Sequence, residues 1–284
     1  MDKLLQWSIA QQSGDKDAIK KIGQPDPKML DQLFGGPDEP TLMKQAILVV
    51  EHPEATLENK EIALDNFEML IENLDNANNI QNMKLWPSII KQLDSDIPES
   101  LRVLAASIIG TAVQNNPNSQ EAFNKTNGVQ QLVKIASDPK SSKELLSKSL
   151  YALSSFLRNN ASGYANFEES DGWKIISLSQ EVGHKIQMRQ LSVVSAILST
   201  GLNPTKQENI HKAKLITYLV TILKKDGHVG CIEKSLNIIS ALATEKFEFS
   251  STEIAQLSQG LEEIDSLKEQ LPEEDLLAAK KAFK

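Results

Sequence analysis

The chain has 284 residues, which is enough to bury a large core without disulfide bonds or structural metal ions. Hydrophobic residues make up 40% of it but aromatic residues only 5%, a balance that favours leucine-rich helix packing over a β-sandwich or β-barrel. Its 30 basic and 38 acidic side chains leave a net charge of −8, which argues against binding to nucleic acid or to an anionic membrane surface.

The first 22 residues are predicted to form a flexible arm. They precede the segment 23–27 (GQPDP), whose prolines cannot continue a helix, and a short capping helix is predicted at 27–34. The arm begins MDKLLQWSIA, an apolar stretch too short for the core of a signal peptide, and no later stretch reaches the roughly 20 apolar residues that cross a bilayer. The single Cys231 cannot form an internal disulfide, so a cytoplasmic protein is predicted.

Five similar segments recur along the rest of the chain in steps of 41 to 45 residues. Each has small and aliphatic residues at i, i+3, i+4 and i+7, the pattern of a helix that buries one stripe. A helical repeat of this period is typical of armadillo proteins and related solenoids, whose units are stable only when stacked. The five segments are LDNFEMLIEN (64–73), ASIIGTAVQN (106–115), LYALSSFLRN (150–159), LSVVSAILST (191–200) and LNIISALATE (236–245).

The predicted fold is therefore all-α, an armadillo-like right-handed helical solenoid with helical caps. Each unit is expected to contain two helices joined by a turn, because a second apolar helix follows the turn signals, as in NGVQQLVKIASD (127–138). We assign residues 27–249 to the repeat domain with its N-terminal cap. The highly charged segment 250–284 is assigned to a C-terminal helical cap, since a terminal unit must cover its apolar face with a soluble one.

The last helix of each unit is expected to line the concave surface. One position on it is basic in three units, at Lys148, Arg189 and Lys234. Two interpretations remain open, since lysine and arginine are good helix formers on any wet surface, but cations gain nothing from the helix macrodipole so near an N-terminus. If the stripe binds a partner, Arg189 is the strongest candidate, because its planar guanidinium can bind a carboxylate through two hydrogen bonds.

An adaptor that binds an extended peptide is the alternative function. Peptide-binding armadillo proteins of nuclear import carry a Trp-x-x-x-Asn ladder on the same helix, and this chain lacks it. The aligned pairs here are Asp65/Met69, Ser107/Thr111, Tyr151/Ser155, Ser192/Ala196 and Asn237/Ala241.

Asparagines crowd the end of the first long helix, around Asn73, Asn76 and Ala77. Asparagine caps helix ends and tolerates left-handed geometry, so a structural cap is one interpretation. The other is an edge that faces a partner, with Ala77 small enough to admit another backbone. The residues alone do not separate the two.

Motifs for catalysis are missing from the sequence. It contains no glycine-rich phosphate loop, no His-Glu-x-x-His pair, no Gly-x-Ser-x-Gly elbow and no Cys-His pair at ligand spacing. The four histidines share no repeat position and are interpreted as surface residues. We therefore expect a binding protein that is not an enzyme and that uses no cofactor and no metal ion.

Six segments, in order along the chain, closely match one known family. They are MDKLLQWSIA (1–10), GQPDP (23–27), LFGGPD (33–38), DNFEMLIENLDNANNI (65–80), SIIGTAVQNNP (107–117) and YALSSFLRN (151–159). The family they resemble is that of the fungal armadillo-type nucleotide exchange factors of the cytosolic 70-kDa heat-shock chaperone, whose animal counterpart is Hsp70-binding protein one.

The resemblance implies that the concave face embraces one lobe of the chaperone's ATPase domain, so that ADP leaves and ATP can enter. It also implies that Ala77 and Arg189 fall where the family makes contact, whereas Lys148, Arg158 and Lys234 are extrapolated from the repeat alignment. The partner expected is the ATPase domain of the cytosolic 70-kDa heat-shock chaperone, bound by a monomer.

The resemblance gives the N-terminal arm a role as well. Members of the family use it to help release polypeptide clients from the chaperone, by imitating a client. Four apolar residues of the arm suit this role, namely Leu4, Leu5, Trp7 and Ile9. The alternative from the residues alone is an amphipathic helix that docks on the first repeat.

Overall fold

A computed structural model of the chain describes residues 16–22, 37–176 and 183–281. The chain divides into two compact units, residues 1–45 and 46–284. In the first unit the described residues form α1 (Lys16–Ile22) and the beginning of α2 (Glu39–Glu51). The helix predicted at 27–34 lies outside the described residues.

The described part of the second unit is helical throughout, which confirms the prediction of an all-α chain. None of its helices is long and apolar enough to span a lipid bilayer, and the same holds for the other described residues. After the end of α2, its α-helices are α3 (Leu57–Ile71), α4 (Leu74–Asn82), α5 (Trp86–Lys91), α6 (Glu99–Val113), α7 (Pro117–Asn124), α8 (Gly128–Ser137), α9 (Lys143–Leu157), α10 (Ala161–Glu169), α11 (His184–Leu198), α12 (Pro204–Lys212), α13 (Leu215–Ile222), α14 (Val229–Thr244), α15 (Ser251–Glu263) and α16 (Glu273–Lys281).

The predicted unit of two helices is wrong, because each repeat contains three helical segments. Two short helices separate consecutive long ones, with a 3₁₀ helix at Gly172–Ile176 as the second short segment after α10. The extra break is made by a single residue in the left-handed region at Lys84 (φ 58°), Asp171 (φ 59°) and Lys214 (φ 52°). None of these residues is a glycine or proline, so the sequence gives little warning of the break.

An asparagine begins the helix that follows each of the first four long helices. Each side-chain oxygen accepts a hydrogen bond from a backbone N–H in the first turn of the new helix, which satisfies a donor that has no partner within the helix. These N-cap residues are Asn73 for α4, Asn116 for α7, Asn160 for α10 and Asn203 for α12.

An aromatic cluster joins the first repeats at their core. The Phe123 ring of α7 lies 5.3 Å from Trp86 of α5 and 5.3 Å from Phe156 of α9, measured between ring centroids. All three side chains are almost completely buried. Tilted and edge-on aromatic pairs of this kind add to the free energy gained from burying the rings themselves.

The last long helix, α14, packs against α16, and α13 packs against α15. Ser250 and Glu253 start α15 with a capping box, in which each side chain bonds the other residue's backbone N–H. The charged segment near the C-terminus thus forms α15, a 3₁₀ helix at Ile264–Leu267 and α16, and α16 packs against the last long helix.

Candidate functional site

The five long helices α3, α6, α9, α11 and α14 contact one another in sequence order, and we call them the long-helix row. The three aligned bases occupy the same position in it, since Lys148, Arg189 and Lys234 are each the sixth residue of their helix. In α3 and α6 the sixth residues are Ile62 and Leu104. The row therefore changes from apolar to basic along the chain.

The apolar end of the row is open to solvent. Ile62 is 51% exposed and Met69, two turns further along α3, is 70% exposed. Large apolar side chains exposed on one helix face are unusual for a surface that meets only water, and methionine is enriched in protein interfaces.

Lys148 is held by its neighbours in the row. Its ammonium group donates a hydrogen bond to Ser107 Oγ at 2.8 Å, and Ser107 donates in turn to Glu68 Oε1 at 2.5 Å. The same Glu68 oxygen accepts a hydrogen bond from Thr111 at 3.0 Å. This network joins α3, α6 and α9. The main role of Lys148 is therefore to connect these helices.

Arg158 and Arg189, in contrast, line one small pocket of about 190 Å³ in the row. The Arg189 guanidinium lies over the Tyr151 ring, with its Cζ atom 5.0 Å from the ring centroid. Arg158 donates through Nη1 to the backbone oxygen of Ser195 at 3.4 Å and to its hydroxyl at 3.3 Å. The remaining lining residues are uncharged, namely Gln114, Asn115, Tyr151, Ser154, Ser155 and Ser192. We call this cavity the arginine pocket.

Lys234, the third base of the stripe, is half-buried on α14 and does not line the arginine pocket. Among the described residues it takes part in no hydrogen bond or ion pair. Cys231, one turn earlier, is fully buried, and burial raises the pKa of its thiol, which disfavours the reactive thiolate.

The asparagine-rich segment lies on α4, outside the long-helix row. Asn73 is exposed and caps α4, its side chain accepting from Asp75 N at 2.9 Å. The side chains of Asn76 and Ala77 are each only 3% exposed, which corrects the expectation that they form an edge open to a partner. Asn76 donates to the Leu70 backbone oxygen, and the Ala77 backbone oxygen accepts from Ser119. Both residues therefore take part in packing and hydrogen bonding within the chain.

A buried lysine next to the end of α11 is also structural. The Lys206 ammonium donates to the backbone oxygens of Ile197 and Gly201 and to the Thr200 hydroxyl, at 2.6 to 2.9 Å, and lies 4.4 Å from the centroid of the Tyr164 ring. Burial lowers the pKa of Lys206 and raises that of Tyr164 to about 12. The cation caps carbonyl groups at the negative end of α11 and leaves no donor for a ligand.

Two histidines that share no position in the sequence repeat meet in the structure. The imidazole rings of His184 and His228 stack with their centroids 4.7 Å apart, and both side chains are exposed. No three histidine, cysteine, aspartate or glutamate side chains converge on a metal-sized site anywhere in residues 16–22, 37–176 and 183–281. The four residues of the arm that are expected to imitate a client, Leu4, Leu5, Trp7 and Ile9, lie outside the described residues.

Tyr151 is the pocket residue that the sequence does not single out. Its hydroxyl donates to Gln114 Oε1 at 2.8 Å, and its ring carries Arg189. The signal in the sequence is its place at the position where peptide-binding armadillo proteins carry the tryptophan of their ladder.

The chain is similar to known proteins over nearly its whole length. Residues 1–80 match a family described as nucleotide exchange factor Fes1, and residues 76–200 match the SIL1/FES1/HPBP1 C-terminal domain. A Scheffersomyces stipitis protein named Hsp70 nucleotide exchange factor FES1 is 72% identical over 281 residues, covering 99% of both chains. Proteins of the same name from Candida albicans and Saccharomyces cerevisiae are 52% and 43% identical, again over 99% of each chain.

Solved structures give the fold. A designed armadillo repeat protein in complex with the peptide (KR)4 has a TM-score of 0.69, covering 85% of this chain and 99% of its own, at 16% identity. A second designed armadillo repeat protein has a TM-score of 0.70, with 85% and 100% coverage and 15% identity. The armadillo-like solenoid predicted from the repeat is confirmed.

Proposed function

The chain belongs to the Fes1 family of Hsp70 nucleotide exchange factors, and from that membership we propose that it accelerates ADP release from a cytosolic 70-kDa heat-shock chaperone. The observation that carries the proposal is identity of 72% over nearly the full length to a protein of that name. The interpretation as a peptide-binding adaptor is not favoured, because the relatives share this name across the fungi compared.

We propose the ATPase domain as the part of the chaperone that is bound, and one of its lobes as the part embraced. An exchange factor can shift the equilibrium between the closed and open arrangements of the lobes only by the difference in its affinity for the two. A stack of buried helices suits this task, because a packed core does not bend to follow the closed form. The chain itself breaks no covalent bond, acts as a monomer in the cytoplasm and uses no cofactor.

The long-helix row is the surface we assign to this contact. Its apolar end, with the exposed Ile62 and Met69, and its basic part, with Arg189 and Lys234, offer the mixture of apolar and charged groups that protein interfaces use. Arg158 contributes from the arginine pocket. Lys148 contributes mainly by fixing the spacing of α3, α6 and α9 through Ser107.

The test is the rate at which a fluorescent ADP analogue leaves the isolated ATPase domain of a fungal cytosolic Hsp70. Adding the chain at saturating concentration should raise that rate about tenfold or more, which requires only about 1.4 kcal/mol of preference for the open form. A rate unchanged by the chain would contradict the proposal. Strong capture of basic targeting peptides in the same preparation would restore the adaptor interpretation.

We also propose that residues 1–22 form a client-release arm, as the family resemblance implies, in which Leu4, Leu5, Trp7 and Ile9 imitate a client. Replacing Leu4, Leu5, Trp7 and Ile9 by serine in the full chain should slow release of a labelled peptide client from intact Hsp70 and leave ADP release from the ATPase domain as it was. Substituting the polar neighbours Gln6, Gln11 and Gln12 by serine provides the control. Equal client release by both variants would argue against the arm.

A further inference from the structure

The arginine pocket concentrates positive charge without any acidic residue to balance it. Two guanidinium groups and no carboxylate line it, in a chain whose net charge is −8. Two like charges that share a small pocket repel each other unless water or an anion screens them. The pocket is therefore electrostatically suited to receive an anionic group.

Arg189 has its hydrogen-bonding capacity free for such a group. Among the described residues it makes the contact with the Tyr151 ring but no hydrogen bond or ion pair. A guanidinium carries five N–H donors in a rigid plane, so an arginine stacked on an aromatic face can still present two parallel donors to a carboxylate. Arg158 uses Nη1 on Ser195, which leaves its other terminal nitrogen available.

The Tyr151 ring, which carries Arg189, is itself fixed by Gly110 of α6 and by Gln114, the residue that follows the end of α6. A Cβ atom placed on Gly110 would come within 2.5 Å of Cδ1 and Cε1 of Tyr151, so only glycine lets the ring lie against the α6 backbone. Gln114, one turn further on, accepts the hydrogen bond of the Tyr151 hydroxyl at 2.8 Å. Contacts within the free chain thus fix the orientation of the Tyr151 ring.

We infer that the arginine pocket is a receptor for a single carboxylate, contributed by an acidic side chain of the chaperone, and that Tyr151 is the residue that positions Arg189 to bind it. This inference rests on the proposed function for the identity of the partner. The volume of about 190 Å³ suits the end of one side chain and is smaller than the roughly 300 Å³ at which small-molecule sites begin.

The first test measures the affinity of Tyr151 variants for the isolated ATPase domain. Tyr151→Leu removes the ring and should weaken binding about tenfold, since a partly buried cation–π contact is worth up to about that factor. Tyr151→Phe keeps the ring and should recover most of that loss. Gly110→Ala, which displaces the Tyr151 ring without changing the identity of any residue that lines the pocket, should weaken binding as well.

The positioning role has its own signature in a double-mutant cycle. In an Arg189→Ala background, Tyr151→Leu should cost less than about twofold, because there is no guanidinium left to position. An equal cost of Tyr151→Leu in both backgrounds would overturn the inference, and so would a Tyr151→Phe variant as weak as Tyr151→Leu.

A second test measures anion binding in the free chain, before the chaperone is added. The side-chain Nε–Hε signals of Arg158 and Arg189 are followed by NMR while sodium acetate or inorganic phosphate is added to the free chain. Acetate should shift both signals, and Arg189→Lys should abolish the shift of Arg158.

If acetate shifts neither signal, the carboxylate assignment fails even where ADP release is intact. If phosphate shifts them and displaces the ATPase domain while acetate does neither, the pocket is a site for free phosphate. If acetate binds but the chain leaves ADP release unchanged, the receptor stands and the exchange function fails.

Discussion

The substitution Ala77→Arg is expected to lower the free energy of unfolding by about 3 kcal/mol or more. Ala77 is only 3% exposed, on α4, where this helix packs against α7. An arginine there must force its side chain into packed space, which costs about 1–3 kcal/mol, and leave a guanidinium without acceptors, since an unpaired buried charge costs about 3–5 kcal/mol. The midpoint of thermal unfolding, followed by circular dichroism at 222 nm, should fall accordingly.

A matched control introduces the same side chain on the same helix where it is exposed. Gln81→Arg should change the free energy of unfolding by less than about 0.5 kcal/mol, as surface substitutions usually do. If Ala77→Arg unfolded at the same temperature as Gln81→Arg, the burial of Ala77 would be contradicted. The expected result also means that a loss of exchange activity in Ala77→Arg cannot by itself assign Ala77 to the interface.

Charge reversal in the arginine pocket should have the largest effect on activity. We expect Arg189→Glu to weaken binding of the Hsp70 ATPase domain about 30-fold or more, and to slow ADP release at limiting concentration to match, because central arginines often account for 2 kcal/mol or more of binding energy. The new carboxylate would also pair with Arg158 in the same pocket, which removes the second guanidinium from the partner.

Arg189→Glu is expected to weaken binding without the loss of stability that is predicted for Ala77→Arg. The side chain of Arg189 contacts the Tyr151 ring but no hydrogen-bond acceptor among the described residues, so its replacement should shift thermal unfolding only slightly. Lys134→Glu, an identical change of charge at an exposed position of α8, serves as the control and should leave binding nearly unchanged. Binding by Arg189→Glu as tight as that by Lys134→Glu would remove the arginine pocket from the interface.

The repeat itself was predictable from the sequence because it is a local property repeated five times. Apolar spacing of 3.6 residues indicates a helix wherever one face is buried, and a recurring step of 41 to 45 residues indicates stacking of like units. The same alignment placed Lys148, Arg189 and Lys234 at one position, which the structure reproduces as the sixth residue of three adjacent helices.

The three-helix unit was not predictable in the same way. Its extra break depends on Lys84 and Lys214 adopting a left-handed backbone, a conformation that neither residue prefers and that the surrounding packing imposes. Burial of Ala77 was equally hidden, because the two apolar residues at helical spacing from it point to opposite faces: Leu74 is 58% exposed, whereas Ile80 is fully buried.

What the sequence determined alone is the class of the molecule: a helical repeat chain, acidic overall, with bases at one register and family motifs in order. The tertiary structure decided which of those bases are bonded to other side chains and which have donors left for a partner. Lys148 donates a hydrogen bond to Ser107, whereas Arg189 contacts the Tyr151 ring and makes no hydrogen bond among the described residues. Gly110 leaves room for that ring, and Gln114 accepts the hydrogen bond of its hydroxyl. Gln114, Tyr151 and Arg189 come from consecutive units and meet only because stacking brings residues about 40 positions apart into contact. Periodicity within a segment says which face of a helix is buried, but it carries no information on which side chain of the next unit will lie against it.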